Sequence, residues 1–585
     1  MNTPTDPGPE AALPYPRGYA GGMALNRYVI VGGVAGGMSA AARLRRLDES
    51  AEIIILEQGG EVSYASCGLP YFVGGEITEE AALLVQTPAS LRASLNLDVR
   101  VHHTVTALDP VAKTVHVEGP DGASDLPYDE LILSPGARAA RPPIPGLDHP
   151  RVHTLRSVPD ALTMRDFARE GRGQAVVLGA GFIGLETAEG LRQEGIEVTL
   201  VEAVAHVLPP LEPELAWLLR EELVRLGIDV RDAMTATAID DADGRAVVRL
   251  ADGSAIEADL VVLSAGTTPN TEPFAAAGVS CDGRGNMVVD ERGRTNVPHV
   301  WAIGDATVSR DAVTGTLHPV ALAGPANRAG RLVADAIVRP SARRIPSAYG
   351  TAVVRVGSQT AALTGANREA LVRAGIAFTT MHLHPMHHAS YFPGAAQMHL
   401  VVHIDPKSGR LLGAQAVGEG GVDKRIDVLA TAMRAGLAAP DLIDLDLCYA
   451  PPYGSAKDPV TMVGFTADNV LTGQVELWQP GELDWARREA FVLDVRTPRE
   501  FATGHLPEAL NVPHTKLRGR LAEVAAAAGG RPIAVMCQSG VRSYIAHRVL
   551  VAAGLPSQTL SGGMLTLRAW LGASAAEVLV SEDAR

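Results

Sequence analysis

Cysteine is scarce in this chain. Its 585 residues hold four, at positions 67, 281, 448 and 537. They are widely spaced, with no CxxC pair and no zinc-ligand pattern, which excludes a disulfide scaffold and a structural zinc site. Aromatic residues make up only 4% of the chain. No apolar run reaches about 18 residues, so no transmembrane helix is expected. Basic side chains are outnumbered, 51 against 66, for a formal net charge of -15. That balance argues against nucleic acid and against an anionic membrane surface as partners. Residues 1–25 are rich in Pro and Gly and lack an apolar core. They read as a disordered extension rather than a secretory signal, with Met23 as an alternative start. Reduced thiols and the lack of such a signal point to the cytoplasm.

Glycine is abundant, with 60 residues. That suits tight turns and close backbone approaches. The run YVIV is followed by GGVAGG, a helical stretch, and EIIILE ending at Glu57. This is a β-turn-α-β unit: Gly32, Gly33, Ala35, Gly36 and Gly37 bring backbone to a pyrophosphate, and Glu57 meets a ribose hydroxyl. Val34 stands where the middle Gly of GxGxxG is expected. A second unit, AVVLGAGFIGLE, carries Gly179, Gly181 and Gly184, and its next strand ends at Glu202. An acid there favours NADH, because it repels a 2′-phosphate, although NADPH stays open. Two units imply two dinucleotides.

Further segments fit the same plan. YDELILSPGARAARPPIPG holds Ser134 and Gly136, ADLVVLSAGTTPN holds Gly266, and VPHVWAIGDA ends in Gly304-Asp305 and Ala306. In this order the motifs resemble the FAD-dependent pyridine nucleotide-disulfide oxidoreductases. The resemblance implies FAD on the first unit and NAD(P)H on the second, with Asp305 at the flavin's ribityl chain. It adds Ser134, Gly136, Glu186 and Gly266 to the cofactor contacts. The expected class is α/β: two Rossmann-like domains, an α+β dimerisation domain, and a further C-terminal α/β domain. The FAD domain is expected at 26–148 and 270–345, the NAD(P)H domain at 149–269, and the dimerisation domain at 346–472.

Most members of that family cycle a cysteine pair. Here Cys67 stands alone in SYASCGLPY, ten residues beyond Glu57. An ordinary thiol is only about 3% ionised at neutral pH, so a working one needs its anion stabilised locally. Its oxidised form is a mixed disulfide, a persulfide or a sulfenic acid. Together with GGVAGG and the later YAPPY, the segment resembles the coenzyme A-disulfide reductase branch, whose single cysteine forms a mixed disulfide with CoA. Mapped by position, Arg43, Arg46, Ser63, Ser66, Asn327 and Lys457 become CoA contacts. Two guanidiniums three apart on one helix face suit phosphates. Leu95 stands where the branch often has a lysine, with Arg92 nearby. Tyr391 and Tyr449 carry over as hydroxyls near the substrate sulfur, reached across a homodimer interface, with Tyr453 as an alternative. The histidines at 382, 384, 387, 388 and 399 lack a completing carboxylate or Cys, so no metal is expected. Cys281 and Cys448 are taken as structural.

A linker is expected over 473–483, then a domain over 484–585. There LDVR, GHLPEALNVP and CQSGVRS occur in order. The Cys537 loop runs from a strand into a helix, aiming amides and a helix N-terminus at one anionic sulfur. These motifs resemble the single-domain rhodaneses, which carry sulfane sulfur as a Cys persulfide; Arg542 is the candidate for the anionic donor. The whole chain thus resembles the coenzyme A-disulfide reductase-rhodanese fusions. The implied cycle has Cys537 take sulfane sulfur from a persulfide or polysulfide and pass it to CoA or a similar thiol. Cys67 then attacks the persulfide, and NADH electrons delivered through FAD regenerate it. Three rivals stay open: a plain CoA-disulfide reductase with an accessory rhodanese, an NADH oxidase or peroxidase using a Cys67 sulfenic acid, and a redox sensor.

Overall fold

The computed structural model describes residues 26–339 and 341–581; the N-terminal extension and Met23 lie outside them. The apolar runs YVIV and IIIL are buried throughout, as parallel strands covered on both faces are. Arg27–Val31 pairs parallel with Glu52–Leu56 on one side and Glu130–Leu133 on the other. Asp98–Arg100 and Val300–Ala302 complete a five-stranded sheet. Helix Ala35–Leu47 packs against helix Ala323–Val338. Small residues let them touch: a Cβ on Gly330 would stand 2.3 Å from the Gly36 carbonyl oxygen.

A second parallel sheet, Asp229–Arg231, Glu197–Val201, Gln174–Leu178, Leu260–Leu263 and Val152–His153, repeats the design. Its domain is inserted into the first. The outgoing strand Ala137–Ala139 and the returning strand Thr267–Pro269 pair antiparallel, so the two passages brace one another. Leu147 lies in the core of the inserted domain, and the Ile239 amide donates to the Pro145 carbonyl. The crossing thus falls nearer residue 140 than the expected 148, because the Pro-rich stretch packs onto the insert.

Five antiparallel strands follow in the order Ala352–Val356, Gln359–Gly365, Leu411–Gly418, Met398–Ile404 and Thr379–Leu383, with helices Val422–Ala435 and Pro459–Leu471. The last domain is a five-stranded parallel sheet. Its edge strand corrects the expected linker. Leu477–Trp478 pairs with Thr559–Leu560, and Trp478 is fully buried. Removing the apolar indole from water outweighs the turn-forming Pro and Gly that follow it.

This domain is docked on the rest of the chain by buried polar contacts. His382 Nδ1 lies 2.8 Å from Ser561 Oγ, and its Nε2 lies 2.8 Å from Glu214 Oε1. His384 reaches Thr566 Oγ1 and His399 Nδ1, both at 2.8 Å. Arg368 pairs with Glu214 and stacks over Trp570. The histidines therefore join three domains. No group of three or more His, Cys, Asp or Glu among the described residues could hold a metal ion.

Candidate active sites

The two nucleotide turns have the same local geometry. Gly32 and Gly179 adopt φ of +96° and +103°, which side chains other than glycine rarely reach. A Cβ on Gly32 would stand 2.0 Å from the Ser134 carbonyl oxygen, and one on Gly179 2.6 Å from that of Ser264. The third glycines, Gly37 and Gly184, press each helix onto its turn, since a Cβ there would lie 1.9 Å from the Gly32 or Gly179 oxygen. Val34 at the middle position has φ -109°, open to any residue, which is why the imperfect motif still folds.

The strand-end acids match as well. Glu57 accepts from the amides of Gly33 and Gly59, both at 2.8 Å. Glu202 accepts from Ala180 at 2.7 Å and Val204 at 3.0 Å. A carboxylate has about four acceptor sites, so each keeps capacity for ribose hydroxyls. Helices Ala35–Leu47 and Phe182–Gln193 have no side-chain cap and no acid in the first turn, leaving their first amides for phosphates. A Cβ on Gly136, Gly181 or Gly266 would meet nothing within 4 Å. Asp305 follows Gly304 in a short turn; burial raises its pKa, while Arg156 at 3.6 Å opposes that rise. The residues present therefore fit a dinucleotide in each unit. Arg156 carries no motif, and only the fold brings it to Asp305.

Cys67 is exposed, in the turn Ser66–Gly68 that leads into helix Leu69–Val73. Ser63, at φ +50°, donates its amide to the Gly33 carbonyl at 2.8 Å, which ties the cysteine loop to the first nucleotide turn. One turn after Cys67, the Tyr71 hydroxyl donates to Glu186 Oε1 at 2.8 Å, on the first helix of the second unit. Burial raises the Glu186 pKa, and the Tyr71 hydrogen bond pulls it back. Gly74 and Gly190 let the two helices meet, since a Cβ on Gly74 would stand 2.7 Å from the Gly190 Cα. The cysteine helix is thus fastened to both nucleotide domains. Tyr71 escaped the sequence reading, although its spacing from Cys67 puts it one turn along the same segment.

The residues mapped to CoA differ in availability. Arg46, Ser66, Asn327 and Lys457 are exposed. Arg43 is engaged, pairing with Asp335 at 2.7 Å. Asn327 accepts from Ser39 Oγ at 2.5 Å. Arg92 lies 3.8 Å from Asp98, while Leu95 supplies a carbonyl to Arg45 at 2.8 Å. Far along the chain, the Tyr391 and Tyr449 hydroxyls meet at 3.1 Å on an exposed face. Tyr453 is exposed without that bond. Cys448 is exposed beside Tyr449, and Cys281 is half-buried with its pKa raised by burial.

Cys537 directly follows strand Ile533–Met536 and is fully buried. Its Sγ lies 3.4 Å from Ser543 Oγ, which accepts from Thr559 at 2.5 Å and donates to the Gly540 carbonyl at 2.9 Å. Helix Val541–Ala552 starts beyond the loop. Helix Gly563–Leu571 backs it, with the Met564 amide on the Cys537 carbonyl at 2.8 Å. Arg542, the candidate for the anionic donor, is already engaged. It makes a bidentate pair with Glu500, at 2.8 and 2.5 Å. Glu500 was missed because its motif, T-P-R-E, reads as a helix cap; only the fold sets it against Arg542.

A pair of dinucleotide cradles with a lone thiol between them, joined to a buried thiol in a strand-to-helix loop, defines a two-cofactor redox enzyme with a further thiol-bearing domain fused to it. The comparisons agree. Residues 26–326 match the pyridine nucleotide-disulphide oxidoreductase family, 351–459 its dimerisation domain, and 477–569 the rhodanese-like domain. The coenzyme A disulfide reductase of Staphylococcus haemolyticus is 32% identical over 446 residues, 76% of this chain and 99% of its own length. Reduced CoADR-RHD of Bacillus anthracis has TM-score 0.92 and 40% identity, covering 95% of this chain and all of that one. An NAD-dependent persulfide reductase from A. fulgidus has TM-score 0.86 and 36% identity, covering 92% of this chain and 99% of that one. The chain belongs to the FAD-dependent pyridine nucleotide-disulfide oxidoreductases and carries a C-terminal rhodanese domain.

Proposed function

We propose that the chain is an NADH-dependent persulfide reductase, in which Cys67 reduces sulfane sulfur carried on CoA or a similar thiol and Cys537 supplies that sulfur. The observation that carries the reading is the presence of two unlike single thiols on one docked body: exposed Cys67 between the nucleotide units and buried Cys537 in its loop. The Cys67 thiolate attacks the inner sulfur of R–S–SH, forming Cys67–S–S–R and releasing HS⁻. When bound, FAD and NADH supply the electron pair that cleaves this disulfide and frees the thiol. Glu57 and Asp305 hold the flavin's ribose and ribityl chain, while Glu202 and Glu186 serve the nicotinamide nucleotide. Arg46, Ser66 and Lys457 take the CoA arm. The Tyr391–Tyr449 pair positions the leaving sulfur and donates a hydrogen bond to it as HS⁻ departs. The match to a dimerisation domain supports a homodimer in which that pair completes the site across the interface. Unpaired cysteines and an NADH-linked thiol reaction suit the cytoplasm.

A second reading, a plain CoA-disulfide reductase with an accessory rhodanese, is favoured by relatives of that name that match end to end without the last domain. The deciding experiment mixes holoenzyme with NADH anaerobically and follows hydrosulfide, comparing CoA persulfide with CoA disulfide. Stoichiometric hydrosulfide with rapid NADH loss supports the first reading. Rapid loss with the disulfide alone supports the second.

A further inference from the structure

The cycle makes no use of Glu500, yet it controls the one charged side chain of the sulfur loop. Between Cys537 and Ser543 the sequence is CQSGVRS, so Arg542 is the sole formal charge there. Both arms of its guanidinium are taken by Glu500. Glu500 is itself held from the other side, accepting from the Thr497 amide at 3.0 Å and its hydroxyl at 2.8 Å. The carboxylate is therefore preset and does not trail after the arginine. Arg542 holds its pKa down to about 2, so it stays ionised at any working pH. The other carboxylate facing Arg542 is Asp494, which is fully buried and paired with Arg496 at 2.7 Å. The pair is partly exposed, with side chains 24% and 32% accessible, whereas Cys537 is buried. An incoming donor thus meets a guanidinium whose two terminal nitrogens are already occupied, in a pair with no net charge.

We propose that Glu500 sets the donor class of the rhodanese site, turning it from small dianions such as thiosulfate toward organic persulfides. This rests on the reading that Cys537 transfers sulfane sulfur. A dianion needs the arginine fork that Glu500 occupies, and must displace the carboxylate to reach it. A persulfide carries at most one charge at its reacting end, against two on thiosulfate, and has no sulfonate oxygens that call for the fork. There the Cys537 thiolate attacks the outer sulfur of R–S–SH, the S–S bond breaks, R–S⁻ leaves with the electron pair, and Cys537–S–SH forms. With thiosulfate the same attack expels sulfite and leaves Cys537–S–S⁻.

The test uses full-length holoenzyme with cyanide as acceptor and thiocyanate as readout, and either thiosulfate or glutathione persulfide as donor. Wild type is expected to favour the persulfide at least tenfold in kcat/KM. Glu500→Gln keeps the helix cap, because Gln serves at that cap position. It is expected to raise kcat/KM for thiosulfate about tenfold and to change the persulfide value less than twofold; Glu500→Ala should do likewise. Equal use of both donors by wild type, or no gain for thiosulfate in a folded variant, overturns the proposal. Equal use of the donors by wild type overturns the proposal even if neither variant folds. Cys537→Ser separates the two levels: if it still makes thiocyanate, the Cys537 reading itself fails, whereas a dead Cys537→Ser with unresponsive Glu500 variants removes only the role of Glu500.

Discussion

Single side chains set the chemistry. Cys67→Ser removes the attacking sulfur, so NADH-driven hydrosulfide release from CoA persulfide should fall at least 10³-fold, while Cys537 still forms thiocyanate. Full residual turnover would sink the assignment of Cys67. Tyr391 and Tyr449 share a hydrogen bond that raises the Tyr449 pKa. Tyr449→Phe should lower kcat by about 10- to 100-fold and leave the KM for NADH unchanged; a change in that KM alone would place the tyrosine elsewhere. Tyr71 acts on Glu186. Its hydrogen bond lowers the carboxyl's pKa against the rise that burial causes. Tyr71→Phe should therefore move the acidic limb of the kcat/KM profile for NADH to higher pH. An unmoved limb would mean that Glu186 does not titrate in that step. Cys67, Cys537 and the strand-end acids were legible because each sits in a short motif. Arg156 on Asp305, Glu186 on Tyr71 and Glu500 on Arg542 were not, because 149, 115 and 42 residues of chain separate the partners.

Helices and turns place these side chains, and their tightest constraints are steric. In Gly37→Ala and Gly184→Ala the new methyl meets a turn carbonyl within bonding range, so the helix must pull back. Overpacking of this kind costs about 1–3 kcal/mol. Gly37→Ala should purify with less FAD, measured by flavin absorbance per chain. Gly184→Ala should keep its flavin and raise the KM for NADH. The reverse pattern would exchange the assignment of the two units. The second turn was plain in sequence as GxGxxG. The first was legible despite Val34, because strand, turn, helix and acid came in order. The expected linker is in part an edge strand, because Leu477–Trp478 pairs with Thr559–Leu560, some 80 residues away.

Over the whole molecule the docking of the rhodanese domain dominates. His399 has its pKa lowered to about 4 by burial, and burial also drives His384 well below its usual value. A histidine with a depressed folded pKa binds its proton more readily unfolded, so stability is lost as pH falls from about 6.5 toward 4. For His399 alone this loss is on the order of 3 kcal/mol. The melting temperature should therefore drop over that range, and His399→Gln should flatten the slope. An equal slope in the variant would locate the acid sensitivity elsewhere.

The sequence by itself determined the two nucleotide units, the lone Cys67 and the Cys537 loop. Their signals are local: glycines where backbone must approach, an acid at a strand end, a thiol before a helix. Only the tertiary structure decided that strand Leu477–Trp478 belongs to the last domain, that His382 and His384 join three domains, and that Arg542 is already paired. These depend on which surfaces meet, and burial makes each meeting specific, because a buried charge or polar group must find its partner wherever the chain brings one.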